Sequence, residues 1–444
     1  MCIIKQKKAK KIIAMIMAVA TLSSCGSSNT SNFGVQPSVT SKSDLKAELA
    51  NFKETTLTEQ EVFAQEKEFS KGINSFTYDI FSKLDNRKNI LLSPYSIATA
   101  FSMLANGADG KTKQEIMNLF GIKDLDKWNA YTKEYIKRYQ KEDTKLLTAN
   151  SVWFSNQLTL SQRADQEFFA PLSAYYHVDK KTMDLSADTA RKEINNWVSE
   201  NTNGMISSFL EKNLESSILM ILLNAVYFEG DWEEEFRKED TQPLEFYGAN
   251  KQTQVDMMCK YKKELKYVEK NGIQGVELPY IGKKLVMDII IPKQNNKTNQ
   301  QENIRECFNQ LSEKEKDEFF KAFDESSTEE ISELMIPKFT ISYSVDNLKE
   351  VLAEMGLNTV FGEEAVFDKI AEGICVDKVT HKSKIKVDEK GTEAAAVTSI
   401  MMKETAMLRK DEINFIVKQP FIFVIRDVET GTILFIGDMQ DIQK

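Results

Sequence analysis

The sequence predicts one large α+β domain over residues 66–444, with helices and strands interleaved along the chain. Three observations predict it. Apolar residues recur at helical spacing in some stretches and as nearly unbroken runs in others. No linker-like composition interrupts the body. The run "SILMILLNAVYFEG", from Ser217 to Gly230, is apolar almost throughout, which places it centrally in a sheet covered on both faces.

The elements follow in order. "EFSKGINSFTYDIFSKL" carries Phe69, Ile73, Phe76, Ile80, Phe81 and Leu84 as a helical stripe. "NILLSPYSIATAFSMLANGADG" begins as a short buried strand, turns at Ser93-Pro94 and continues as a helix to Gly107. "NSVWFSNQLTL" reads as a strand. "ARKEINNWVSENTNGMI" puts Ile194, Trp197 and Val198 on one helical face, closed by the Asn203-Gly204 turn. "GVELPY", "LVMDIIIPK", "LMIPKFTISYS", "PFIFVIRD" and "TILFIGDM" are further strands, and charged helices cluster at 300–325 and 346–355. No repeat period is present.

The first 65 residues differ from this body. Lys5, Lys7, Lys8, Lys10 and Lys11 precede the apolar run "IIAMIMAVATL", Ile12 to Leu22. That run is too short to span a bilayer and suits the hydrophobic region of a signal peptide. It ends in "LSSC", which is similar to the lipobox of bacterial lipoproteins. The resemblance implies a signal peptide over 1–24 and lipidation of Cys25, which would become the first residue of the mature chain. Several acyl chains on one cysteine anchor firmly, giving an exported, membrane-anchored lipoprotein of the outer membrane, facing the periplasm or the surface. The Ser-, Thr-, Asn- and Gly-rich stretch that follows has tether composition and is assigned with Cys25 to 25–65. Cys259, Cys307 and Cys375 then remain. Their odd number and lack of CxxC spacing predict plain thiols, with neither a disulfide framework nor a zinc site.

Composition excludes several classes of function. The chain is 41% hydrophobic and 28% charged, enough to bury a core. Its formal charge of -9, with no downstream basic run, argues against nucleic acid. "ANGADGKT", Ala105–Thr112, fits a permissive phosphate-loop pattern, but a helix rather than a strand precedes it, so a helix–helix turn is the better reading. No GxGxxG, HExxH or GxSxG is present. The two histidines, His177 and His381, sit on no recognisable catalytic elbow, so the chain reads as no enzyme, with no cofactor and no metal. The lysines of "KWNAYTKEYIKRYQK" alternate with Glu134, Glu142 and Asp143, which reads as a solvated helix face rather than a polyanion site.

"DEKGTEAAAVTSIMMKETAMLRKD", Asp388–Asp411, is ambiguous: three alanines favour a helix, and the valine, threonine and isoleucine that follow favour a strand. It resembles the reactive-loop hinge of the serpins, inhibitors of serine and some cysteine proteases. Other stretches resemble the family in the family's order: "LLSPYSIATAFSMLANGADGKT", "INNWVSENTNGMI", "LLNAVYFEGDWEEEF", "GVELPY", "IPKFTISYSVDNLKEVLAEMGL" and "QPFIFVIRDVETGTILFIGDM". The resemblance implies the serpin fold: a central, mainly antiparallel sheet, further sheets, about nine helices and an exposed reactive-centre loop, here about 389–411. It implies a monomeric suicide substrate that traps its protease by inserting the cleaved loop into the main sheet. The alternative is a non-inhibitory serpin that binds or stores.

The resemblance also implies site residues. Glu389, Gly391, Thr392, Glu393, Ala394, Ala395 and Ala396 form the hinge, where small side chains pass between packed strands and Gly391 supplies a pivot. Trp232 and Lys338 match the breach, where the hinge enters, and Lys338 is expected to pair with Glu389. Ser93, Ser96, Asn224 and His381 match the shutter, a polar cluster under the parting strands. Family spacing places the reactive bond at Thr405–Ala406. This suits elastase-like or subtilisin-like targets, while Lys403 and Arg409 suit trypsin-like ones and Met402, Met407 and Leu408 chymotrypsin-like ones. Papain-like cysteine proteases are further partners. Two features of the residues fit insertion. No proline lies between Pro337 and Pro420. Thr392, Ala394, Ala396, Thr398, Ile400 and Met402 share one uncharged face, with Glu393 and Lys403 on the other.

Overall fold

A computed structural model describes residues 13–24, 52–85, 87–139, 145–204, 206–293, 303–345, 347–390 and 412–443. Along the chain the elements are β1 (Ile13–Ser24), α1 (Glu59–Lys83), β2 (Ile90–Leu92), α2 (Pro94–Gly107), α3 (Gly110–Leu119), α4 (Leu125–Tyr139), β3 (Lys145–Ser155), α5 (Ala170–Tyr176), β4 (Val178–Met183) and α6 (Asp188–Glu200). Then come β5 (Ile218–Glu229), β6 (Gln242–Tyr247), β7 (Gln252–Lys270), β8 (Ile273–Pro279), β9 (Leu285–Pro292), α7 (Ile304–Gln310), α8 (Glu313–Glu325), β10 (Thr328–Pro337), β11 (Phe339–Val345) and α9 (Leu348–Glu354). β12 (Ile374–Val387), β13 (Ile413–Ile416), β14 (Phe421–Asp427) and β15 (Ile433–Met439) complete the chain.

The main sheet has six strands in the order β11-β12-β1-β5-β3-β4, and a second runs β13-β10-β7-β8-β9-β14-β15-β2 with β6 beside β7. Only β3–β4 and β10–β13 pair in parallel among the described strands. The α+β class and the mainly antiparallel main sheet are as expected.

β5 sits deep in the main sheet because both of its faces are covered. Leu222, Val226 and Phe228 join the principal core. Ile221, Leu223 and Ala225 pack on the other face with Trp153, Ile194, Trp197 and Val198, under α6. Such a strand requires a nearly continuous apolar run, here broken by Asn224 and, at its end, Glu229. The segment after α6 is strapped over the same face. The Asn195 side chain accepts from the Phe209 and Leu210 amides at 2.9 and 2.7 Å, and Lys382 of β12 donates to the Phe209 carbonyl at 3.1 Å.

Three boundaries differ from the sequence reading. α1 begins at Glu59, not at 66, because Thr58 and Glu61 form a reciprocal cap: the Thr58 hydroxyl accepts from the Glu61 amide, and Glu61 accepts from the Thr58 amide. "LMIPKFTISYS" is two strands in different sheets, β10 ending at Pro337 on β7 and β11 beginning at Phe339 on β12. Lys338 is therefore the single residue joining β10 to β11. The third difference is the largest: residues 13–24, which overlap the run Ile12–Leu22 read as the apolar core of a leader, form β1 in the middle of the main sheet. β1 runs antiparallel to both neighbours, with Ala18 opposite His381 of β12 on one side and Asn224 of β5 on the other. Apolar and β-branched residues suit a leader and a covered strand equally well.

"ANGADGKT" is a helix–helix turn, as expected: α2 ends at Gly107 and α3 begins at Gly110, whose φ of +53° is left-handed. The cysteine expectation needs one correction. Cys259 and Cys307 carry thiols, but Cys375 is disulfide-bonded.

Candidate functional site

The site is the upper end of β12 and the seam between β12 and β5. At Val387 the chain leaves the sheet, and Asp388, Glu389 and Lys390 are held down rather than projecting: each is less than a tenth exposed. The indole N–H of Trp232 donates to the Asp388 carbonyl at 3.1 Å, and the Phe236 amide donates to the Glu389 carbonyl at 2.8 Å. Trp232 is itself fixed. It stacks on Tyr280 at 4.6 Å and 10°, and Gly230 passes so close beneath that a Cβ there would meet the Tyr280 ring at 2.7 Å.

The Glu389 carboxylate turns inward. It accepts from Lys338 Nζ at 3.1 Å and from the Thr241 hydroxyl at 2.9 Å. Burial pushes its pKa up, but its backbone hydrogen bond, the two side-chain donors and the Lys338 charge outweigh that, and the carboxyl is held below its ordinary value. Glu389 is therefore ionised where the loop begins. Lys338 reaches it from the crossover between sheets, and its own amide donates to the Asp256 carbonyl at 2.8 Å. The expected Lys338–Glu389 pair is present.

The lower cluster lies beneath the seam. Ser93 caps α2: its hydroxyl accepts from the Ser96 amide at 3.1 Å, while its own amide donates to His381 Nε2 at 3.2 Å. That nitrogen is thus an acceptor, and its lone pair is engaged by backbone. The Ser96 hydroxyl donates to Asn224 Oδ1 at 2.5 Å. Asn224 Nδ2 donates to Asn150 Oδ1 at 2.6 Å, and Asn150 Nδ2 to the Tyr176 carbonyl at 2.8 Å. Ser93, Ser96, Asn224 and His381 are completely buried. The four predicted residues form one network through α2, but β1 runs between the strands that carry His381 and Asn224.

Sequence reasoning missed Thr241, Phe236, Asn150 and Ser383, whose hydroxyl donates to the Leu91 carbonyl at 2.6 Å. A polar residue inside a strand pattern was the only available signal, and only for Asn150, since no strand pattern is read around Ser383. Gly391, Thr392, Glu393, Ala394, Ala395 and Ala396, the reactive-bond candidates from Met402 to Arg409 including Thr405 and Ala406, and Cys25 all lie outside the described residues.

A family model described as serpin (serine protease inhibitor) matches residues 71–442. This chain is a serpin. An uncharacterized serpin-like protein of Thermococcus kodakarensis is 33% identical over 415 residues, covering 91% of this chain and 92% of the relative. A leukocyte elastase inhibitor of Xenopus tropicalis is 30% identical over 386 residues, covering 83% and 98%. Among solved structures, the thermophilic serpin tengpin in its native state superposes with a TM-score of 0.70 at 26% identity, covering 88% of this chain and 96% of that one. The serpin fold accounts for the position of the site: the segment after β12 leaves from beside the seam that β1 occupies.

Proposed function

We propose that this serpin is a suicide-substrate inhibitor of serine endopeptidases that traps the acyl-enzyme by inserting its cleaved loop between β12 and β5. The observation that carries the reading is β1. A strand from elsewhere in the chain is paired along both β12 and β5 in the direction the loop would take, so the seam accommodates an added central strand. The anchored Asp388–Lys390 segment, the proline-free span and the uncharged alternating face support the same step. Thr392 to Thr405 covers roughly 45 Å at about 3.3 Å per residue. At about 1 kcal/mol net per backbone hydrogen bond, insertion yields on the order of 10 kcal/mol. Ile400 and Met402, once covered, add about 1.5–3 kcal/mol each. The uncut chain is accordingly metastable, held by a barrier.

Thr405–Ala406 is the bond this reading assigns, and its small residues suit elastase-like and subtilisin-like targets; the relative named leukocyte elastase inhibitor fits that class. The leader over 1–24 and a lipidated Cys25 make the mature chain a bacterial membrane lipoprotein. Labelling by palmitate, abolished in Cys25→Ser, tests this anchor.

Chain purified from the membranes of the exporting cell is incubated with elastase-, subtilisin-, trypsin- and papain-like enzymes. An SDS-stable adduct with release of a peptide beginning at Ala406 is expected. Cleavage in the loop by every enzyme, with each enzyme fully active afterwards, refutes inhibition.

A further inference from the structure

The seam that the reactive loop must enter is filled in the full chain. β1 pairs with β12 from Ala14 to Ser24 and with β5 from Ile13 to Ser23. Ala18 stands between His381 and Asn224, so the strand passes directly over the shutter cluster. A central position satisfies the amides and carbonyls of a strand on both sides, and two strands cannot share it. The sequence "IAMIMAVATLSS" is free of proline and charge, the composition for a strand covered on both faces. The intact loop, tied at both ends, enters only slowly until a protease cuts it; β1 needs no cut, and because it belongs to the same chain its local concentration is high.

We infer that the unprocessed chain occludes itself: residues 13–24 hold the strand position between β12 and β5, and removal of the leader on export opens it and arms the inhibitor. The inference rests on the loop-insertion reading above. A chain that still carries its leader is then a substrate for proteases, not a trap for them, and proteases on the near side of the membrane are spared. One segment thus serves as an export signal before processing and as an occluding strand wherever processing has not happened.

The test uses the full chain and three sequences. In Ala18→Pro with Val19→Pro, the adjacent prolines remove ladder amides toward both neighbours, which a central strand does not tolerate. Ile13→Pro is the control, because proline is accepted at the first residue of a strand. Each chain is nicked in the reactive loop and melted before and after. The double variant is expected to rise by on the order of 15 °C on nicking, and the unaltered chain and Ile13→Pro by no more than a few degrees. Equal large rises in all three overturn self-occlusion and leave loop insertion standing. No rise in any of them overturns loop insertion, and the inference with it. Should the double variant lose its near-UV circular dichroism, Met17→Pro alone, within the regular ladder opposite Lys382 and Ala225, replaces it with the same expected outcomes.

Discussion

The Lys338–Glu389 pair is expected to act as a gate on the seam, and its strength follows from its surroundings. Glu389 is nearly buried, while the Lys338 side chain is 33% exposed. Hydrogen bonds to charged groups contribute about 1.5–3 kcal/mol, and solvent at Lys338 screens this one toward the lower end, about 1.5 kcal/mol. A double-mutant cycle of Lys338→Met and Glu389→Gln, read from urea midpoints, is expected to give a coupling of that size. If the pair must break before a strand enters, either single variant in the Ala18→Pro, Val19→Pro background inserts its uncut loop roughly tenfold faster. The assay is loss of inhibitory activity with time at 37 °C. The pH dependence has a definite sign. The folded carboxyl is depressed, so its contribution is present above the unfolded value of about 4.3 and is lost as pH falls through the folded value. A coupling below about 0.3 kcal/mol at neutral pH, within the error of additivity, refutes the gate.

Two further outcomes are expected. Thr392→Arg places a long charged side chain on the face that must be covered, so the chain should still be cut while the stoichiometry of inhibition rises several-fold; an unchanged stoichiometry counts against insertion. Asn224→Ala removes the acceptor of Ser96 and the donor to Asn150, both fully buried or nearly so, and should lower stability by about 1–3 kcal/mol in urea melts.

The parts of the fold legible in the sequence were those with one dominant pattern. β5 announces itself by an apolar run broken inside the strand by Asn224 alone, and α1 by its stripe from Phe69 to Phe81. β12 was not legible, although it forms one wall of the seam. Its "ICVDKVTHKSKIKV" buries Val379, His381, Ser383, Ile385 and Val387 in alternation, two of them polar, and four lysines in fourteen residues obscure a strand. The break at Lys338 was hidden because the residues on both sides have strand propensity, and no local pattern marks where the chain crosses from one sheet to the other. Within the site, Trp232, Lys338 and Glu389 came from family resemblance, and their contacts depend on a crossover no local pattern encodes. Thr241 and Phe236 contribute one hydroxyl and one backbone amide, which any sequence could supply. β1 was unreadable for a deeper reason: its composition satisfies a membrane translocon and a sheet interior equally, and the choice depends on which meets it first.

The strap after α6 has a kinetic consequence. Lys382 fastens it to one bank of the seam through the Phe209 carbonyl, while Asn195 fastens it to the helix lying over the other. Anything threading between the banks must pass under this tie, so the tie must let go and then re-form. If the chain traps proteases as proposed, that interval is the time an acylated enzyme has to hydrolyse its bond and escape. A tighter fastening keeps the unused inhibitor longer on the shelf and lets more prey go; a looser one catches faster and spoils sooner.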